Sequence, residues 1–481
     1  MLQGAQAVID VGYESISQLI RTFISEVYPL YPCIDLERIQ IKVNSLFDLL
    51  SNFGGRTTAD VDLDIIDIEI MKATVAVAQC VSGETQSSLA CDLESKLSWS
   101  VQSTLDQEHC GIEDIAMATL VSIYLDIRDL PVRAWRMSSY AAKLCLELGI
   151  HQRSFYEACG LPPSGIVFHK RMFACVYSLN MKCSFYTALP WTLDSRHVDD
   201  RLLDLPEHSY HSLNIPLCKI TSEVWDLENY KSSNRTNSCD RADFLTFQLE
   251  RVVDKMPMGN FVPLEPDVTP PSWLNTSLKH LIQLRVNHAK MLVFVQTFSS
   301  LEEMLSHPQY TTSLISLAKS SIEVQKEIMG LPKTGSSPLL FPSTITLLLS
   351  SLSFLLLAIS YSPQVYNTPC NEAVYTAMDI LAKSYPWVKA PGRESWGSLG
   401  DLKSMLMTAQ TPPERTIEPA MQDTIKESSA SFQTEFPPNG TIHASCPSDQ
   451  DILPMLEGVD TADLMYLEQW PGGGGFVGSS F

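Results

Sequence analysis

The chain has 481 residues, 45% of them apolar and 19% charged, with a net charge of −21. That apolar share supports a large buried core and excludes a wholly disordered chain, and the length suits one large helical body with appendages or two or three average domains. An acidic surface repels phosphate backbones, and no basic run larger than Lys170-Arg171 interrupts it, so direct nucleic-acid binding by this chain is not expected.

Helical periodicity begins early. Ile16, Leu19, Ile20, Phe23 and Val27 recur at helical spacing until Pro29 and Pro32 stop the pattern. Asp35 is placed to cap a second helix whose stripe is Leu36, Ile39, Val43, Leu46, Phe47 and Leu50. Asp60 to Ile70 alternates acidic and apolar residues, but Ile66, Ile70, Ala73, Val77 and Cys80 continue as a helical face, so a helix is predicted. Asp60, Asp62 and Asp64 have the first spacings of a calcium loop. Ile65 and Met71 then stand where that loop needs glycine and glutamate, so the acids read as a solvated helix N-terminus.

Further helices are predicted at Leu89–Val101 and Ile115–Leu125, and another starts at Asp129-Leu130-Pro131. This last one carries Trp135, Met137, Ala141, Ala142, Cys145 and Leu148 on two faces, reads as largely buried, and ends at Gly149. Ser164 to Phe185 is a long helix with Lys170 and Arg171 facing solvent or a carboxylate. Beyond Pro206 the pattern loosens, with a polar loop at Asn229–Asp240 and a proline-rich stretch at Met256–Ser272. Helices resume at Trp273–Phe298, Thr311–Met329, Thr344–Tyr361 and Asn371–Trp387. The third of these is apolar enough to span a membrane, but its serines and missing flanking arginines favour a buried helix.

Twelve cysteines are scattered without a C-x-x-C pair, so they read as buried thiols in a reducing compartment and not as a metal centre. His208 and His211 lie close, but no further ligand has metal spacing. No nucleophile elbow, phosphate-binding glycine loop or zinc-protease motif is present. No enzymatic activity is therefore expected.

From about Pro391 the composition turns to Pro, Ser, Thr, Gly and acids, which reads as a mobile linker over 391–448. Residues 449–470 interleave acids with Leu453, Leu456, Leu464, Tyr466, Leu467 and Trp470, and no lysine or arginine follows Lys426. That is the composition of an acidic activation segment, able to fold into a coactivator groove. A tail docking on its own domain is the alternative. A Gly-rich end, 471–481, is expected to be disordered.

The stretch from Trp135 to Pro206 carries a recognisable order of residues. Ala134-Trp135 opens a helix that closes on Gly149-Ile150-His151; then come Lys170-Arg171-Met172-Phe173, Tyr177, Leu189-Pro190 and Leu205-Pro206. This resembles the fungal-specific transcription factor domain, the regulatory middle region of binuclear zinc-cluster transcription factors. The chain departs from that pattern in three places. Ala174 stands where tryptophan is usual, Asn180-Met181 where an Asp-Arg pair is usual, and Ala188-Leu189-Pro190 where Gly-Arg-Pro is usual. The change at Asn180 implies that an internal ion-pair network is replaced by packing.

The resemblance implies an all-α domain over residues 1–390 and a nuclear activator of a metabolic or secondary-metabolite gene set. Its partners would be coactivator or mediator proteins at the tail, and a DNA-binding partner or a second copy; no membrane is implied. The six-cysteine zinc cluster of such factors does not occur in these residues, so no cofactor is expected unless that module lies upstream. A truncated gene model, a DNA-binding-deficient regulator and a protein that borrows a partner's DNA contacts all remain open. So does a helical scaffold or small-molecule sensor with no transcriptional role.

Overall fold

A computed structural model describes residues 2–51, 63–83, 110–194, 198, 205–231, 235–298, 301–331 and 338–388. The expected helix at Leu89–Val101, Asp60 and Asp62, the linker, the activation-like residues and the Gly-rich end lie outside the described residues. Within them the chain is all-α, with thirteen helices of seven residues or more and no strand.

The helices are α1 (Leu2–Val11), α2 (Tyr13–Thr22), α3 (Leu36–Ser51), α4 (Ile65–Val81), α5 (Ile112–Ile127), α6 (Pro131–Leu148), α7 (Arg153–Ala158) and α8 (Pro163–Thr187). They continue with α9 (Tyr210–Lys231), α10 (Arg235–Asp254), α11 (Ser272–Thr297), α12 (Leu301–Leu305), α13 (Pro308–Gly330), α14 (Phe341–Tyr361) and α15 (Pro363–Val388). Each of α4, α5, α6, α8, α9, α11, α13, α14 and α15 packs on the next in that order. A large core covers α1 to α11, a second covers α13 to α15, and α11 supplies Leu292 to the first and Met291 to the second.

Local chemistry explains the element ends. The Arg38 backbone N–H donates to the Asp35 carboxylate at 2.9 Å, an N-cap bond that satisfies one of the orphan donors of α3. Gly149 closes α6 at φ 83°, ψ 9°, the left-handed conformation open to a residue without a Cβ. At α4 the Asp67 carboxylate accepts the Asp64 backbone N–H at 3.1 Å. Asp64 is exposed, as expected of a solvated helix start, but Asp67 is 4% exposed. It is held by Arg38 at 3.0 Å and Lys42 at 3.0 Å, both from α3. Burial pushes its pKa up, and the Asp64 N–H and these two cations outweigh that, so the carboxyl sits below its ordinary value.

Three expectations need correction. The segment after Pro206 is not loose: α9 and α10 run through it, and only 232–234 separates them. Pro216 lies inside α9 and reads as punctuation in sequence, although tertiary packing keeps the helix continuous past it. The polar run Asn229–Asp240 contains no glycine or proline, so nothing in it breaks a helix. Second, α6 buries one face only: Ala134, Ser138, Ala141, Leu144 and Cys145 are covered, while Arg133, Arg136, Lys143 and Glu147 face water. Its small residues allow a close approach to α5, where the Ser122 hydroxyl donates to the Ala134 carbonyl at 2.8 Å.

Third, Asn180 is held by hydrogen bonds and not by packing alone. It is fully buried and reaches the Ser138 and Ser139 hydroxyls at 3.4 and 3.3 Å, and its side-chain oxygen accepts the Thr192 N–H at 3.0 Å.

By length and composition α14 could cross a bilayer, with a mean hydropathy of 1.9 over its most apolar window. Just over half of that window, 56%, is buried, against α13, α15 and α11. Its polar groups are satisfied: the Ser351 hydroxyl donates to the Leu347 carbonyl at 2.9 Å, and His288 meets Ser350 Oγ at 2.7 Å.

Candidate functional site

Several residues of the Trp135–Pro206 stretch make specific local contacts. The Trp135 indole N–H donates to the Pro190 carbonyl at 3.0 Å, tying the start of α6 to the end of α8. Behind Gly149, the Tyr156 hydroxyl donates to the Ile150 carbonyl at 2.7 Å, and Lys170 Nζ lies 5.8 Å over the Tyr156 ring. Arg171 ion-pairs with Glu265 and donates to the Leu264 carbonyl at 2.6 Å, which pins the proline-rich loop onto α8.

Phe173 and Tyr177 are fully buried in the core. The Tyr177 hydroxyl has no partner among the described residues, and burial pushes its pKa up. Leu205 and Pro206 are half-buried, with the Pro206 carbonyl accepting the Ser209 N–H at 3.1 Å. His151 stands apart, half-buried beside the Gln152 side chain at 3.0 Å. These contacts are structural: they bring no reactive set of side chains together.

One turn deeper along α8 the chemistry changes. Ser178, Lys182 and Tyr186 follow one another at helical spacing and line a cavity closed by Tyr31, Tyr210 and Asn214 on one side and by Leu281, Arg285 and residues 339–343 on the other. The enclosed volume is about 20 Å³, room for one or two water-sized groups. Its walls are buried: Tyr31, Ser178, Tyr210, Asn214 and Ser343 are all under 9% exposed. Lys182, Tyr186 and Arg285 keep partial exposure and form the way in.

The two cations are held differently. Lys182 donates to Asp126 at 2.6 Å and to the Tyr31 hydroxyl at 2.9 Å. Burial pulls its pKa down, but the Asp126 charge more than offsets this and holds the ammonium well above its ordinary value. Arg285 donates to the Asn214 side-chain oxygen and, at 3.4 Å, to the Cys218 sulfur. No carboxylate among the described residues pairs with it. Burial pushes the phenols of Tyr31, Tyr186 and Tyr210 up, that of Tyr210 to about 12, so near neutrality all three are neutral hydroxyls. The Ser178 hydroxyl, also buried, has no partner.

Ser178, Lys182 and Tyr186 fall within the Trp135–Pro206 stretch, but none of its motif residues lines this cavity, and the sequence did not single out Asp126, Lys182 or Arg285. A signal was present. Lys182 is the sole charge between Arg171 and Asp194, and Arg285 sits on the stripe Leu281, Ile282, Ala289 of α11, where a cation has no solvent to face. Among the described residues no group of three metal-ligating side chains converges, and the nine cysteines there are free. No protein-family model, curated protein or solved structure matches this chain.

Proposed function

We propose that the protein is a transcriptional regulator of the fungal zinc-cluster type, acting in the nucleus through protein partners. In this reading residues 1–390 form a helical regulatory body, and the acidic segment 449–470 recruits coactivator. The body holds or releases the tail, and DNA contacts come from another module or another chain. The observation that carries the reading is the all-α body over the residues that resemble the family, within which Trp135 meets Pro190 and Arg171 reaches across to Glu265. The net charge of −21 supports partner-borne DNA contacts.

The test fuses residues 440–481 to an unrelated DNA-binding domain and measures a reporter. Activation is expected, with loss when Leu464, Tyr466, Leu467 and Trp470 are changed together to alanine. A silent fusion, or one indifferent to the four changes, would favour a helical scaffold or sensor with no transcriptional role.

A further inference from the structure

We infer that the cavity between α8, α9 and α11 is a binding site for a small organic carboxylate, whose anionic head sits against Arg285, Ser178 and the three tyrosine hydroxyls. Three independent observations converge on it.

The first is charge. Lys182 is neutralised by Asp126, so the cavity carries the uncompensated charge of Arg285. A guanidinium has five N–H donors, and Arg285 places two bonds, to the Asn214 oxygen and the Cys218 sulfur. Such a group is expensive to desolvate and persists in a fold when an anion completes it.

The second is the imbalance of donors and acceptors. The carboxylate and amide oxygens near the cavity are already engaged, Asp126 on Lys182 and the Asn214 oxygen on Arg285, which leaves hydroxyls as the remaining polar lining. The donors are in surplus. Tyr31 already accepts from Lys182, which leaves its own proton to give. Ser178, 6% exposed, has a hydroxyl without any partner. A donor-rich, net-positive pocket is complementary to an anion and hostile to a cation or an amine.

The third is size. About 20 Å³ suits a compact head of two oxygens better than a tetrahedral phosphate of four. The head is therefore a carboxylate. Leu30, Leu281, Leu339 and Leu340 line the same cavity, so the carbon next to the carboxylate meets apolar walls, and the remainder of the molecule passes between the partly exposed Lys182, Tyr186 and Arg285. Specificity for the body of the ligand is set at that mouth.

This goes beyond the transcriptional reading and rests on the cavity alone; the tail-fusion reporter and the experiment below can fail independently. The full chain is titrated at constant ionic strength with acetate, butyrate, benzoate and succinate. Butyramide serves as the neutral counterpart and inorganic phosphate as the oversized anion, and thermal unfolding and calorimetry give the readout. Expected is a saturable rise in Tm with at least one carboxylate and none with butyramide or phosphate. In Arg285→Gln that response should disappear while the unliganded protein stays close to the parent in stability, because glutamine can still donate to the Asn214 oxygen. Ser178→Ala, which breaks no existing hydrogen bond, should fold normally and bind about tenfold more weakly, the effect of one hydrogen bond to a charged group. No saturable response to any of the four carboxylates would overturn the inference. So would equal responses to butyrate and butyramide, a response to phosphate alone, or a carboxylate response unchanged in both variants.

Discussion

Asp126 of α5 and Lys182 of α8 are 56 residues apart in sequence and meet at 2.6 Å, with side chains 7% and 12% exposed. The pair joins the core helix before the motif region to the helix that lines the cavity, and it leaves Arg285 as the free charge there. A pair this buried is worth less for its attraction than for what its disruption strands.

Asp126→Asn should therefore cost about 3 kcal/mol, because it leaves the Lys182 ammonium buried beside neutral groups. The double change Asp126→Leu with Lys182→Met removes both charges and should cost much less than that. Urea unfolding of the parent, Asp126→Leu, Lys182→Met and the double variant gives the coupling directly. If single and double variants lose the same amount, the stabilisation lies in packing and not in the charge pair.

Much of the fold was legible because it is written in local chemistry. Asp35, Pro131 and Gly149 mark helix ends whose backbone geometry demands those residue types, and the stripes of α3, α5 and α11 have helical period. What escaped was non-local. A proline ordinarily ends or kinks a helix, yet α9 continues through Pro216. Nothing local marks Asp67 as buried; its partners Arg38 and Lys42 come from another helix. The cavity escaped for the same reason: its cations belong to α8 and α11, which a motif confined to one stretch cannot bring together.

Ala188 closes α8 at φ 53°, ψ 24°, the left-handed region where a Cβ is strained. The resembled family has glycine at this point. Ala188→Gly should stabilise the protein by about 1 kcal/mol, net of the greater freedom glycine gives the unfolded chain. Thermal unfolding would show it as a rise in Tm of a few degrees at most; a fall would mean that the alanine methyl contributes more packing than its backbone strain costs.

Asn180→Asp places an acid at a position where the resembled family pattern carries one, but without the arginine of that pattern, since Met181 follows here. Asn180 is fully buried, and its amide N–H groups face the Ser138 and Ser139 hydroxyls. A carboxylate would keep the bond from the Thr192 N–H and lose both of those donations while adding a buried charge. A loss of about 2–4 kcal/mol at neutral pH is expected, shrinking as acid protonates the new group. Stability that is equal to the parent at neutral pH would show that a cation reaches this position.

His211 supplies the last test, through its two ring nitrogens. Nε2 meets the Pro29 carbonyl at 3.2 Å, so the proton of the neutral ring lies there, and the buried Nδ1 has no partner among the described residues. Burial pushes the pKa down and the Arg171 charge adds to this, against the Pro29 hydrogen bond, to leave it at about 4. The unfolded chain titrates near 6.5. Between these values the unfolded state takes up a proton that the folded state refuses, so stability is complete above about 6.5 and drains as pH falls towards 4. The loss from this residue is about 3 kcal/mol. His288, buried against Arg285 and pushed down to about 3, acts in the same direction. His211→Gln keeps a donor for Pro29 and cannot titrate, so its urea midpoint should fall less steeply than the parent's between pH 6.5 and 4, with the residual slope left to His288, to His280, which burial also pushes down, and to the carboxylates. Parallel curves for the two proteins would show that the folded state admits the proton and that Nδ1 finds an acceptor in solution.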